Sequence, residues 1–239
     1  GKVPETYTAY LDADSLEGKK IGFIASMLGT DPITQRLFTQ ARASLEAQGA
    51  TVVEVAAPEG FAAIVGEGSG SGPEFNHDLN DYIAAYLNPA VTTRSLLEIS
   101  QSPNIVPGRA DNPYGSRAAV TEETYQAWAG PEGTHTLQLA RGKQIMTALM
   151  EEQDLDAVIY PSGNPYSTIG TNMRLSPNTG LPAVTVPMGQ GVAGEASTGG
   201  VNLEFLGRDF AEGPLLGLAY SFEQATHART TPAAYGPLG

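Results

Sequence analysis

Serine, lysine and histidine are the residues of this sequence that could carry covalent or acid–base chemistry, and their spacing decides what they can do. Cysteine is absent, which removes thiolate nucleophiles, disulfides and cysteine-based zinc sites together. Gly68-Ser69-Gly70-Ser71-Gly72 is the most tempting nucleophile segment, because flanking glycines let a serine sit on a strained turn near backbone N–H donors. No strand signal enters it, however, and His77 falls in a different predicted element, so it reads as a flexible loop.

A serine–lysine hydrolase needs a lysine kept neutral by burial and held close to its serine. The lysines here are Lys2, Lys19, Lys20 and Lys143. Lys19 and Lys20 precede the first predicted strand in a polar turn, and Lys143 sits mid-helix near Arg141, so none reads as buried. The histidines, His77, His135 and His227, include no pair spaced to share one helix turn. Surface or helix-capping roles fit them better than catalysis or ligation. Neither a metal nor a cofactor is expected.

Ser162 is placed differently. Ser162-Gly163-Asn164-Pro165 follows a buried apolar run, so it is either a pocket wall or a simple strand-ending turn. Its partners depend on the elements around it. Short apolar or alternating runs predict strands at Ile21–Ala25, Val52–Val55, Ala157–Tyr160, Ala183–Val186 (ended by Pro187) and Val201–Phe205. Asp31 and Pro32 open a helix whose apolar face is Ile33, Leu37, Ala41 and Leu45, and Gly49 ends it. Further helical patterns cover Phe75 to Leu87, Ser95 to Ser100, Glu122 to Trp128, Thr136 to Gln153 and Pro214 to Thr226. The pattern weakens between Pro58 and Pro73, and Val91 to Tyr114 reads as a surface excursion.

Strands alternating with helices predict a single α/β domain over residues 1–239, its sheet mixed but mostly parallel with helices on both faces. The Val158-Ile159 and Val184–Val186 strands are expected at the centre. Ligands in such sheets sit past the carboxyl ends of strands, which points to Tyr160–Gly163 and Pro187–Gln190.

Composition narrows the partners. The formal charge is −13 with 13 basic residues, so no concentrated cationic surface for nucleic acid is visible. No apolar run approaches a membrane span, and Gly1-Lys2-Val3-Pro4 does not read as a signal peptide. Compartment stays open.

Four blocks are distinctive together. Leu155-Asp156-Ala157-Val158-Ile159-Tyr160-Pro161-Ser162 and Asn178-Thr179-Gly180-Leu181-Pro182-Ala183-Val184-Thr185-Val186-Pro187-Met188-Gly189 are the first two. Leu203-Glu204-Phe205-Leu206-Gly207-Arg208-Asp209-Phe210-Ala211-Glu212 and Leu215-Leu216 through Phe222-Glu223-Gln224-Ala225-Thr226 complete the set. Each is similar to a segment of the amidase signature family, although Asn202 stands where that family usually has glycine. Upstream, Asp12 to Ile24 and Glu74 to Leu87 resemble two further blocks. The resemblance is to the C-terminal part of such an enzyme. It implies hydrolysis of carboxamide C–N bonds, with a small-molecule amide as substrate. The family's two serines and lysine belong to a Gly-Ser-rich signature ahead of these blocks, so the resemblance carries no catalytic residue onto this chain. Gly66 to Gly72 falls between downstream blocks and does not match that signature. What the resemblance does imply is a substrate-pocket wall at Ser162 and at Asn178, Thr179 and Gly180.

Three readings follow. The chain is part of an amidase, inactive alone and completed by an N-terminal catalytic half or by a homodimer partner. Alternatively it is a non-catalytic binding or structural module on the same scaffold. The third is a self-sufficient serine hydrolase using Ser69 or Ser162.

Overall fold

The computed structural model describes residues 2–68, 72–104, 113–167 and 169–231. Ser69 and Ser71, the serines of the glycine-rich loop, lie outside them. The chain divides into two compact units, one of Gly1–Gly66 with Arg141–Gly239 and one of Glu67–Ala140.

The first unit holds the sheet. Its strands are β1 (Lys20–Phe23), β2 (Thr51–Glu54), β3 (Ala157–Pro161), β4 (Ala183–Gln190) and β5 (Gly200–Leu206), in the order β2-β1-β3-β5-β4. β1 pairs in parallel with β2 and β3, while β5 runs antiparallel to both β3 and β4. Four strands therefore point one way and β5 alone runs against them, so the sheet is mixed and mostly parallel in direction. Helices α1 (Pro32–Ala47) and α8 (Glu212–Thr226) serve one face, and α2 (Phe61–Gly66) and the later turns of α7 (Thr134–Glu152) the other.

Period-two alternation sorts the strand residues between those faces. Ile21, Phe23, Ala157, Ile159, Leu203 and Phe205 join Leu37, Phe38, Leu215 and Phe222 in one core cluster. Val158 and Tyr160 turn to the second cluster, with Phe61, Ile64, Met146 and Met150. Asp31 caps α1 by accepting from the Thr34 N–H at 2.7 Å, and Pro32 occupies the first turn, as the sequence predicts.

Two expectations about strands need correction. β3 is central, but β4 is an edge strand and Val184 is only half-buried. Nor does β4 stop at Pro187: it continues to Gln190 with a bulge between Pro187 and Gly189. An edge strand tolerates proline because one of its sides needs no ladder donor, and the bulge absorbs the irregularity. Gly189 has φ of 145°, and a Cβ there would meet Leu37 Cδ2 at 2.5 Å, so backbone freedom and close approach both require glycine. Helix α2 also lies where the sequence pattern is weak. It has only six residues, too few to display a helical period.

The second unit contains α3 (Phe75–Tyr86), α4 (Leu96–Ser100), α5 (Pro113–Ala118), α6 (Glu122–Ala129) and the first turns of α7. Here His135 departs from a surface role: it is 8% exposed, its Nδ1 lies 2.7 Å from Glu67 Oε1, and its ring stacks on Trp128. Trp128 in turn donates from Nε1 to Glu74. The histidine is a buried, bonded tie within the unit. Among the described residues no helix is long and apolar enough to cross a membrane.

Candidate functional site

Ser162 is the first residue past β3, and its backbone connects two clefts. Its N–H donates to the Asn202 carbonyl at 3.1 Å, and its carbonyl accepts from the Ile169 N–H at 3.3 Å. Asn202 lines a cleft of about 660 Å³ with Pro187, Gln190, Thr198, Arg229 and Thr230. Ile169 lines a second of about 410 Å³ with Gly29, Asp31, Thr34 and Asn164. Both open at the end of the sheet where β1, β3 and β4 finish and β5 begins, the position at which α/β sheets take ligands.

That end is fastened by a residue the sequence reading missed. Asn172, 1% exposed, donates from Nδ2 to the Pro161 carbonyl at 2.6 Å and to the Met27 carbonyl at 2.7 Å. One side-chain amide thus ties the exit of β3 to the short 3-10 turn, Ala25–Met27, that follows β1. Nothing local marks it, because an asparagine in a loop has no periodic signature and its two acceptors lie far apart in sequence.

Strand register places a polar strip on the sheet face beside Ser162. Tyr160 pairs with Glu204, and Glu204 with Thr185; one step along, Pro187 pairs with Asn202, whose carbonyl holds Ser162. By alternation these side chains share one face. Tyr160 is fully buried and donates its hydroxyl to Glu204 Oε1 at 2.9 Å. Burial pushes the half-buried Glu204 carboxyl above its ordinary range, and the Tyr160 hydrogen bond pulls it partly back. The Tyr160 phenol is held well above its usual value by burial and by the adjacent carboxylate, so it stays a proton donor. The other oxygen of Glu204 has no partner among the described residues.

Asn178, Thr179 and Gly180 lie elsewhere, just ahead of the start of β4, so the structure does not put them at the same end of the sheet as Ser162. Asn178 is buried and donates from Nδ2 to the Ile64 carbonyl at 2.8 Å. The buried Thr179 hydroxyl donates within its own turn to the Leu175 carbonyl at 2.7 Å. Gly180 is exposed and takes φ of 62°, which lets the chain reverse into β4.

The lysines stay outside both clefts. Lys19 pairs with Asp156 at 3.2 Å and Lys143 with Asp209 at 2.9 Å, each lysine about two-fifths exposed, so both are surface ion pairs. His77 is half-buried, stacks on Tyr125 and lies 3.2 Å from Asp78, whereas His227 caps the end of α8 with φ of 44°. Among the described residues no group of three or more His, Asp or Glu side chains could hold a metal ion.

With this geometry in hand, the chain can be set beside known proteins. No family model matches it. It is 26% identical over 241 residues to a probable amidase of Arabidopsis thaliana, covering 96% of this chain and 43% of the relative. A putative amidase of Arthroderma benhamiae is 25% identical, with 93% of this chain and 40% of the relative covered. The chain thus spans less than half the length of the curated relatives it matches. Its fold superimposes on an amidase family protein from Bacillus anthracis with a TM-score of 0.68 at 24% identity, over 94% of this chain and 42% of that one. The peptide amidase of Stenotrophomonas maltophilia gives 0.66 at 24% identity, over 95% and 48%. A bacterial aryl acylamidase described as belonging to the amidase signature enzymes gives 0.59 at 17% identity, over 94% and 46%. In sequence and in fold, the chain is similar to part of an amidase of the signature family.

Proposed function

We propose that this chain is the C-terminal part of an amidase-family hydrolase acting on carboxamide C–N bonds, and that these 239 residues alone do not catalyse. The observation that carries the reading is one of coverage: nearly the whole chain aligns, yet with less than half of each amidase. Amide hydrolysis needs an activated nucleophile, a proton shuttle and oxyanion donors. Lys19 and Lys143 lie in surface ion pairs, Lys20 donates to the Gln153 carbonyl, Lys2 sits over the Phe210 ring, and no histidine stands against Ser162. The chain's contribution is then a pocket wall. Ser162, between two clefts at the ligand end of the sheet, is its foremost residue. Asn178, Thr179 and Gly180, at the opposite end of the sheet, would hold the turn that leads into β4 rather than line the wall beside Ser162, since Asn178 and Thr179 hydrogen-bond internally. The remaining machinery would come from an N-terminal catalytic half, or the wall would be completed by a homodimer partner.

The test is to assay simple carboxamides and esters with the chain alone, with Ser162→Ala, and after adding a polypeptide bearing a Ser-Ser-Lys signature. Turnover only in the mixture supports the proposal. Robust turnover by the chain alone, abolished in Ser162→Ala, would replace it with a self-sufficient serine hydrolase. No turnover in any arm leaves the non-catalytic module as the better reading.

A further inference from the structure

The larger cleft carries chemistry that the amidase reading does not supply. It forms where the residues after α8 pass the end of the β4–β5 ladder, and a hydrogen bond between the Thr230 hydroxyl and Gln190 Oε1 fastens that segment to β4. Apart from Arg229 the lining is neutral but polar: the Asn202 amide, the Thr198 and Thr230 hydroxyls, and backbone at Gly199 and Gly200. Arg229 is the single charged residue among the described lining residues. It makes no ion pair with any described residue, whereas Arg36 and Arg42 pair with Glu195 and Glu46. In a chain of net charge −13, Arg229 brings a positive charge to a cleft rimmed by hydroxyl and amide groups. A guanidinium fork with the neighbouring Thr198 hydroxyl and Asn202 amide matches the two oxygens of a carboxylate.

We propose that this cleft is a carboxylate subsite, with Arg229 gripping the acid group of an anionic amide. The proposal names a substrate class for the proposed amidase, and it rests on that reading only for the amide half of the ligand. Ser162, one hydrogen bond away through Asn202, marks the side on which the uncharged remainder of the ligand would lie.

The experiment is a nitrogen-15 NMR titration of the 239-residue chain with two probes of equal length, succinamate and the neutral succinamide, at low ionic strength. The amides of Gly199, Gly200 and Asn202 are followed in wild type, Arg229→Gln and Arg229→Lys. Succinamate is expected to shift all three, about ten-fold more weakly in Arg229→Gln, with Arg229→Lys between because lysine keeps the charge but not the fork. Succinamide is expected to bind more weakly and to be indifferent to the substitution. Equal binding of both probes, an unaltered titration in Arg229→Gln, or no shift at these amides would each overturn the proposal. Resonances remote from the cleft report whether the variants keep the fold. Because no turnover is measured, failure here is separable from failure of the amidase reading, which the mixing assay detects.

Discussion

At the residue scale the most consequential side chains are two that the sequence did not single out. Asn172→Ala would leave the Pro161 and Met27 carbonyls buried without their donor, and unsatisfied buried groups cost roughly 1–3 kcal/mol each. The expected loss is about 2–4 kcal/mol, read as a lower denaturant midpoint with an unchanged slope; a smaller effect than about 1 kcal/mol would mean that water replaces the amide. Glu204 makes the opposite prediction. Its carboxyl is raised in the folded state, so the native protein holds that proton more tightly than the unfolded chain. The contribution of Glu204 to stability is therefore fully present below the ordinary carboxylate range and is lost as pH rises through the folded value. Glu204→Gln keeps the acceptor for Tyr160 and removes the charge. It should melt higher than wild type at pH 7 and together with it at pH values below the ordinary carboxylate range; a gap that stays constant with pH would rule out titration as the cause. Tyr160–Glu204 was illegible because strand order and register create it. The place of Ser162 just past β3 was legible because a polar turn after a buried apolar run is a local pattern.

At the element scale, composition and periodicity locate strands well but say little about their neighbours. All five predicted strands form, with β1 ending at Phe23 and β4 running on to Gln190. Which strand is central depends on pairings across more than a hundred residues, and Val184-Thr185-Val186 looks as apolar locally as Val158-Ile159. The difference is measurable. Ile159 is fully buried on the central strand, so Ile159→Asp should cost more than about 4 kcal/mol and be recovered only unfolded, whereas half-buried Val184→Asp at the edge should cost about 1–2 kcal/mol. Comparable losses would put β4 in the interior of a larger sheet, as pairing with a further strand would. Helix α2 escaped notice because it is shorter than two turns. The long α1 and α8 were legible because their apolar residues repeat along one face.

At the scale of the whole molecule the sheet ends, among the described residues, in two edge strands, β2 and β4, and β4 presents eight residues. Unpaired edges recruit other strands. Light scattering of the chain alone should show concentration-dependent association that a catalytic half suppresses; a monomer at high concentration would mean that its edges are protected as they stand. The order of the strands also governs the time the sheet needs to form. β4 and β5 meet across a connection on the order of ten residues, but β1 meets β3 only after the chain has closed the interval between Lys20 and Asp156, which lie 136 residues apart. Loop-closure entropy makes the second event costlier by about 2 kcal/mol, and topologies dominated by such distant contacts fold slowly. During synthesis the β1–β2 pair therefore waits, one flank of β1 bare, until more than a hundred further residues have been made. In that interval the nascent chain most needs a chaperone.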